Sequence, residues 1–299
     1  MRPRTPQGEG LAVWALLVAD LVAVLVVYST VDPDELYSVS RSGVSGGLSR
    51  ALVQLNFPIA LAAIPLVLLA MGSLTRRAWL VAGPALALSA FVAWPGVLDP
   101  GDLDARPVNV IPALGAVLAL GLTIAAGRAA GWGFAPRRGG DPARIVVAGA
   151  LVIAALPWIA AEVGVHFPQG VFNTTSLYTE PGESPMPAVH LGHHHGMAGL
   201  LLALGALLLS RPRLAALTLR RVYASLLCLM LSYGVANMAN DFWHEQVVKR
   251  GWTSTDVPGA TLPAANLTWA GIVVASVVLY AFGFARRDDA GATRDNPVT

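Results

Sequence analysis

The chain is 299 residues long, 55% hydrophobic and only 13% charged, with a mean hydropathy of +0.60. Such a composition is too apolar for a soluble globular chain and belongs to the membrane class. The formal net charge of +2 gives no reason to expect a nucleic-acid partner, and no Gly-rich phosphate loop follows a candidate strand.

About 20 apolar residues, rising 1.5 Å each, cross a hydrocarbon core. In chain order the apolar blocks are 11–28, 51–74, 78–94, 108–127, 145–166, 190–210, 222–241 and 267–285. They predict an all-α, polytopic membrane bundle of eight transmembrane helices forming a single domain over residues 1–285, with 286–299 as a flexible cytoplasmic tail. The first block follows Met1-Arg-Pro-Arg, as a signal peptide would. Its length, the central Asp20 and the lack of a small-x-small cleavage site predict a retained helix instead. Asp20 is expensive near a bilayer midplane and needs a partner or a protonated state. Gln54 and Asn56, in the second block, either line a cavity or tie helices together. Pro58, Pro65, Pro84 and Pro157 would break soluble helices but are tolerated where neighbouring helices re-satisfy the backbone. Cys228, the only cysteine, lies inside the seventh block and cannot form an internal disulfide.

Lys and Arg residues set the orientation. With the N-terminus inside, 15 of the 20 fall in cytoplasmic segments. Only Arg41, Arg50, Arg106, Lys249 and Arg250 fall in outer ones. This positive-inside pattern predicts that both termini are cytoplasmic.

All six histidines then lie on the outer side, at or near helix ends: His166, His190, His193, His194, His195 and His244. At the end of the fifth helix, Glu162 and His166 are four apart and share a face. The sixth brings His190, His193 and His194 onto one face if it is already helical at His190, leaving His195 turned aside. The seventh carries Asn237, Asp241, His244 and Glu245 along one stripe, with Glu245 furthest out. Sequential antiparallel helices are usually spatial neighbours, so three helix ends point imidazole and carboxylate at one volume.

That is the donor set of a divalent metal ion. The expected ligands are His166, His190, His193, His194 and His244, with Zn favoured and Fe or Cu the alternatives. A metal-free polar network, such as a proton or substrate path, is the competing reading. Glu162 and Asp241 are the candidate general bases. Segments 167–189 and 242–266, rich in turn residues, read either as a lid over the cluster or as surface loops.

His190-Leu-Gly-His193-His194 resembles one HxxHH box of the membrane desaturases and hydroxylases. The likeness covers five residues and their other boxes are missing, so no activity follows from it. The general plan, histidines holding a metal near the end of a helical bundle, is similar to the alkaline ceramidases by analogy alone. The resulting expectation is a multi-pass cell-membrane metalloprotein with hydrolase-type chemistry. It would act on a lipid or other amphipathic substrate at the extracytoplasmic interface. A metal-dependent oxidoreductase, and a metal or ion transporter or sensor, are the alternatives.

Overall fold

The computed structural model describes residues 5–36, 39–99, 102–165, 189–191 and 195–285. Among these the regular structure is helical, and the only strand-like pairing is a parallel bridge between Leu36 and Leu191. The α-helices are α1 Gly8–Thr30, α2 Gly43–Gln54, α3 Leu61–Met71, α4 Trp79–Ala90 and α5 Val110–Ala130, then α6 Asp141–Ala154, α7 Leu156–Glu162, α8 His195–Leu209, α9 Leu217–Phe242 and α10 Leu267–Tyr280. Each predicted apolar block contains helix. Five helices are long and apolar enough to cross a membrane: Gly8–Thr30, Gly43–Met71, Pro107–Ala130, Leu217–Val248 and Leu267–Phe284. The bent pair α6–α7 makes a sixth if it counts as one span. α4 and α8, with 12 and 15 residues, are shorter.

Proline chemistry explains two of the breaks. Before Pro58, Phe57 has the extended angles φ −134° and ψ 117°, because a proline ring crowds the helical conformation of the residue before it. α2 and α3 therefore meet at a kink. The chain turns by 62° between α6 and α7, and Pro157 sits in the first turn of α7, where its missing N–H has no helical partner to lose. Pro65 and Pro84 remain inside α3 and α4.

α8 is central, packed against α9 and flanked by α1 and α3. Leu17, Leu66, Leu69, Leu201, Leu202 and Leu209 fill the space between these helices. Close approach depends on glycine, since membrane helices associate by packing small residues together. A Cβ on Gly234 would lie 2.5 Å from the Gly199 carbonyl oxygen, and one on Gly199 would strike that of Gly234. Gly47 does the same for α2 against α1, where a Cβ would come within 2.5 Å of the Leu25 carbonyl oxygen. α6 and α10 are peripheral: α6 buries no residue and α10 only Ile272 and Ser276.

Ionic groups gather at the start of α1 and again at its middle. Near its start, Glu9 pairs with Arg211 at 3.1 Å and accepts from the Ala135 amide at 2.9 Å. Eleven residues later, about 16 Å along a helix, comes Asp20. Between them the buried face of α1 is apolar, with Val13 and Leu17 both 0% exposed.

Candidate functional site

Asp20 has found polar partners on α2. Gln54 donates its amide to Asp20 Oδ2, and Arg50, one turn earlier on the same face, donates to Gln54 Oε1 at 3.4 Å. The Arg50 guanidinium lies 5.7 Å from the centre of the Tyr28 ring, close enough for a cation–π contact. Asp20 is 5% exposed, Arg50 1% and Gln54 0%. Arg50 is therefore an interior residue and not the outer-loop charge its sequence position suggested. The apolar block was read from Ala51, but α2 already begins at Gly43, which places Arg50 on the face toward α1.

Glu162 joins this network from α7. It is the last residue of that helix, 2% exposed, and interacts electrostatically with both Asp20 and Arg50. Two carboxylates and one guanidinium are thus buried together, an arrangement that needs mutual compensation because each ion loses its hydration.

α7 stops at Glu162 for a local reason. Gly164 takes φ +78°. The Gly164 and Val165 amides donate back to the Ala161 and Ala160 carbonyls at 3.0 and 2.8 Å. This is the paired hydrogen-bond pattern of a Schellman cap. α7 thus ends at Glu162, and the expected pairing of Glu162 with His166 falls on a residue outside the described ones.

The histidine-rich segment is likewise not helical at its start. Leu191 makes the bridge to Leu36 and packs in a small apolar cluster with Val24, Val27 and Tyr28. His190, beside it, is 3% exposed. His190 and Leu191 are not helical and the described part of α8 begins at His195, while the placement of His193 and His194 relative to His190 lies outside the described residues. His195, expected to turn away, is half-buried: its Nδ1 hydrogen-bonds the Thr261 hydroxyl at 2.9 Å. Its ring also meets Phe57 edge-on at 6.4 Å.

Asp241 lies at the N-terminus of α8, where its Oδ2 accepts from the Gly196 amide at 2.9 Å. A carboxylate there satisfies an amide that lacks a helical partner and complements the helix dipole. Gly196 is required by space, because a Cβ would come within 2.7 Å of both Asp241 and Trp158. Trp158 is one turn before Glu162 on α7, so α7, α8 and α9 do converge.

His244 departs from this convergence. Residues Trp243–Val248 form a wider helical turn, and His244 meets the 256–257 segment. Its Nε2 lies 3.0 Å from the Val257 carbonyl oxygen and 3.8 Å from Asp256. Glu245, expected at the rim, is instead 7% exposed and paired with Lys249 at 2.7 Å. Asn56 proves to be a tie between helices: it donates to the Asn109 carbonyl at 2.8 Å and accepts from the Asn109 side chain at 3.0 Å.

Among the described residues, no group of three or more His, Cys, Asp or Glu side chains is arranged to hold a metal ion. His166, His193 and His194, and residues 167–188 of the expected lid, lie outside the described residues. A cavity of about 270 Å³ is walled by Leu61, Leu202, Leu229, Met230 and Trp269 and reaches Tyr233 and Thr261. Tyr233 donates to the Thr261 carbonyl at 2.7 Å, and Thr261 in turn holds His195. This apolar slot therefore reaches Thr261, whose hydroxyl bonds His195. Comparisons with protein-family models, curated proteins and solved structures find no match for this chain.

Sequence reasoning missed Arg50, Tyr28 and Thr261. For Arg50 a signal was present: Arg50 and Gln54 are spaced i, i+4, and Asp20 required a partner.

Proposed function

We propose that this protein is a membrane-embedded enzyme acting on a lipid or other amphipathic substrate at the histidine-rich end of its bundle. The observation that carries the reading is the joint burial of Asp20, Arg50, Gln54 and Glu162. Ionisable side chains inside an apolar bundle are costly and by default mark function. Two further features support it. The apolar slot can take a chain, and it reaches Thr261, which bonds His195 at the start of the described part of α8. The interior below Asp20 is closed by Val13, Leu17, Leu66, Leu201 and Leu202, which disfavours an ion path and hence the transporter.

The chemistry we assign is hydrolysis. Glu162 takes a proton from water, the water oxygen attacks an ester, amide or phosphoryl centre, and the proton passes to the leaving group. A divalent ion, zinc by the His and carboxylate donor set, would lower the pKa of that water and polarise the substrate oxygen. The residues that would hold it, by the sequence pattern, are His166, His190, His193 and His194, with His244 omitted. In the bilayer, the eight apolar segments cross with both termini cytoplasmic and the site facing outward, as the distribution of Arg and Lys supports.

Glu162→Gln tests this. It keeps the side chain's size and removes its basicity, so turnover of a hydrolysable lipid falls by roughly 10²-fold or more while metal content is retained. Wild-type protein that moves metal across sealed liposomes, with no turnover of any lipid supplied, would establish the transporter instead.

A further inference from the structure

Arg50, 1% exposed, is fixed by two contacts. Its Nη2 donates to Gln54 Oε1 at 3.4 Å, and its Cζ lies 5.7 Å from the centre of the Tyr28 ring. Gln54 is tied in turn to Asp20 Oδ2 through its amide nitrogen. α1 thus orients the guanidinium through one intermediate side chain.

The remaining donors have no such use. A guanidinium carries N–H groups on all three nitrogens, in one rigid plane, and accepts nothing. Among the described residues Nε and Nη1 donate to no oxygen, and Asp20 Oδ1 accepts from no donor. Buried donors without an acceptor are costly and rare enough in native proteins to require a reason. A structural ion pair would remove that cost directly, by joining Asp20 and the guanidinium through two parallel hydrogen bonds. Here a neutral amide stands between them. Glu162 acts on Arg50 through its charge, yet no described carboxylate accepts a hydrogen bond from it. The arrangement holds a cation in place and keeps its donors open.

Fixed, buried donors are what an oxygen gaining negative charge during a reaction requires. We propose that Arg50 is a catalytic residue of the hydrolysis assigned above, on which this inference rests: Nε and Nη1 donate hydrogen bonds to the carbonyl or phosphoryl oxygen of the substrate. As the water oxygen bonds to carbon or phosphorus, the electron pair of the C=O or P=O bond moves onto that oxygen, and Arg50 stabilises it without giving up a proton. The pair returns as the leaving group departs with the proton that Glu162 took from water. A carbonyl oxygen accepts through two lone pairs, so this role is additional to any metal's. Gln54 is the positioning residue, because it sets the plane of the guanidinium. The competing arrangement is a water shared by Arg50 and Asp20 Oδ1, which would satisfy both groups without touching substrate.

The experiment compares the full chain in mild detergent with Arg50→Lys, which keeps the charge and loses the planar fork. Turnover is read as nitrophenolate released from para-nitrophenyl decanoate and from decyl para-nitrophenyl phosphate. Binding is read by calorimetry with decylphosphonate, whose tetrahedral oxygens carry negative charge, and with decanol, which lacks them. Arg50→Lys should lower kcat by about 10²-fold or more while KM changes less than roughly threefold. It should also weaken decylphosphonate about tenfold relative to decanol. Whichever probe wild type turns over identifies the oxygen served. Unchanged kcat, a loss confined to KM, or equal weakening of decylphosphonate and decanol overturns the proposal and leaves Arg50 with a structural water. Wild type that turns over neither probe counts against the hydrolase reading, and the decylphosphonate-to-decanol ratio then decides the Arg50 contact by itself. Should Arg50→Lys fail to fold, the same quantities are read in Arg50→Gln/Asp20→Asn, which removes one charge of each sign, with the same losses expected.

Discussion

Without Arg50, Asp20 and Glu162 would share a buried region with their nearest compensating guanidinium gone. Breaking a buried ionic group by removing one partner typically costs about 3–5 kcal/mol. Arg50→Gln should therefore lower stability by roughly that amount, read as a lower unfolding midpoint in detergent. Adding Asp20→Asn should recover part of the loss, because it removes one of the uncompensated charges. An Arg50→Gln protein as stable as wild type would mean that the guanidinium carries no such role. From the sequence, the need for a partner at Asp20 was legible, whereas the identity of that partner depended on where α2 begins. Asp241 was legible as a polar group near the histidines, but not as the acceptor for the Gly196 amide, because that role depends on how α9 packs against α8.

Helix pairs repeat one device, a small residue where two backbones approach. α8 and α9 meet through Gly199 and Gly234, and the same contact sets the depth of Asp241 at the start of α8. Gly199→Leu should force these helices apart at a cost of about 1–3 kcal/mol or more. It should also reduce any activity by displacing Asp241 and His195. A Gly199→Leu protein with unchanged unfolding and turnover would contradict that geometry. At this scale the apolar blocks were legible as helices because hydropathy alone marks them. Their ends were less so. α7 stops at Glu162 through the turn at Gly164, and α8 starts at His195 after Leu191 has paired with Leu36. The helical spacings drawn through His166 and His190 crossed both of these ends.

Across the whole molecule, two ionic regions lie at the ends of an apolar interior, joined by α1. Near Glu9 lies Arg211, and near Asp20 lie Arg50 and Glu162. In the proposed positive-inside orientation the first would face the cytoplasm. Reporter fusions after Thr75 and Pro212 should then read cytoplasmic, and fusions after Gly182 and Gly259 outside. Cytoplasmic readings at the last two positions would remove the outward-facing site. The buried Asp20–Arg50–Glu162 network was not legible, since it joins three helices far apart in sequence.

Elemental analysis of the protein, purified without a His-tag in mild detergent, bears most directly on whether the histidine-rich end is a metal-dependent site. Wild type should carry about one equivalent of zinc. His190→Ala should lose most of it, while His244→Ala should keep it, because His244 faces Val257 and Asp256 instead. Wild-type protein free of any transition metal, or metal content unchanged in His190→Ala, would contradict the metal-dependent site and leave the buried acid–base network as its only chemistry.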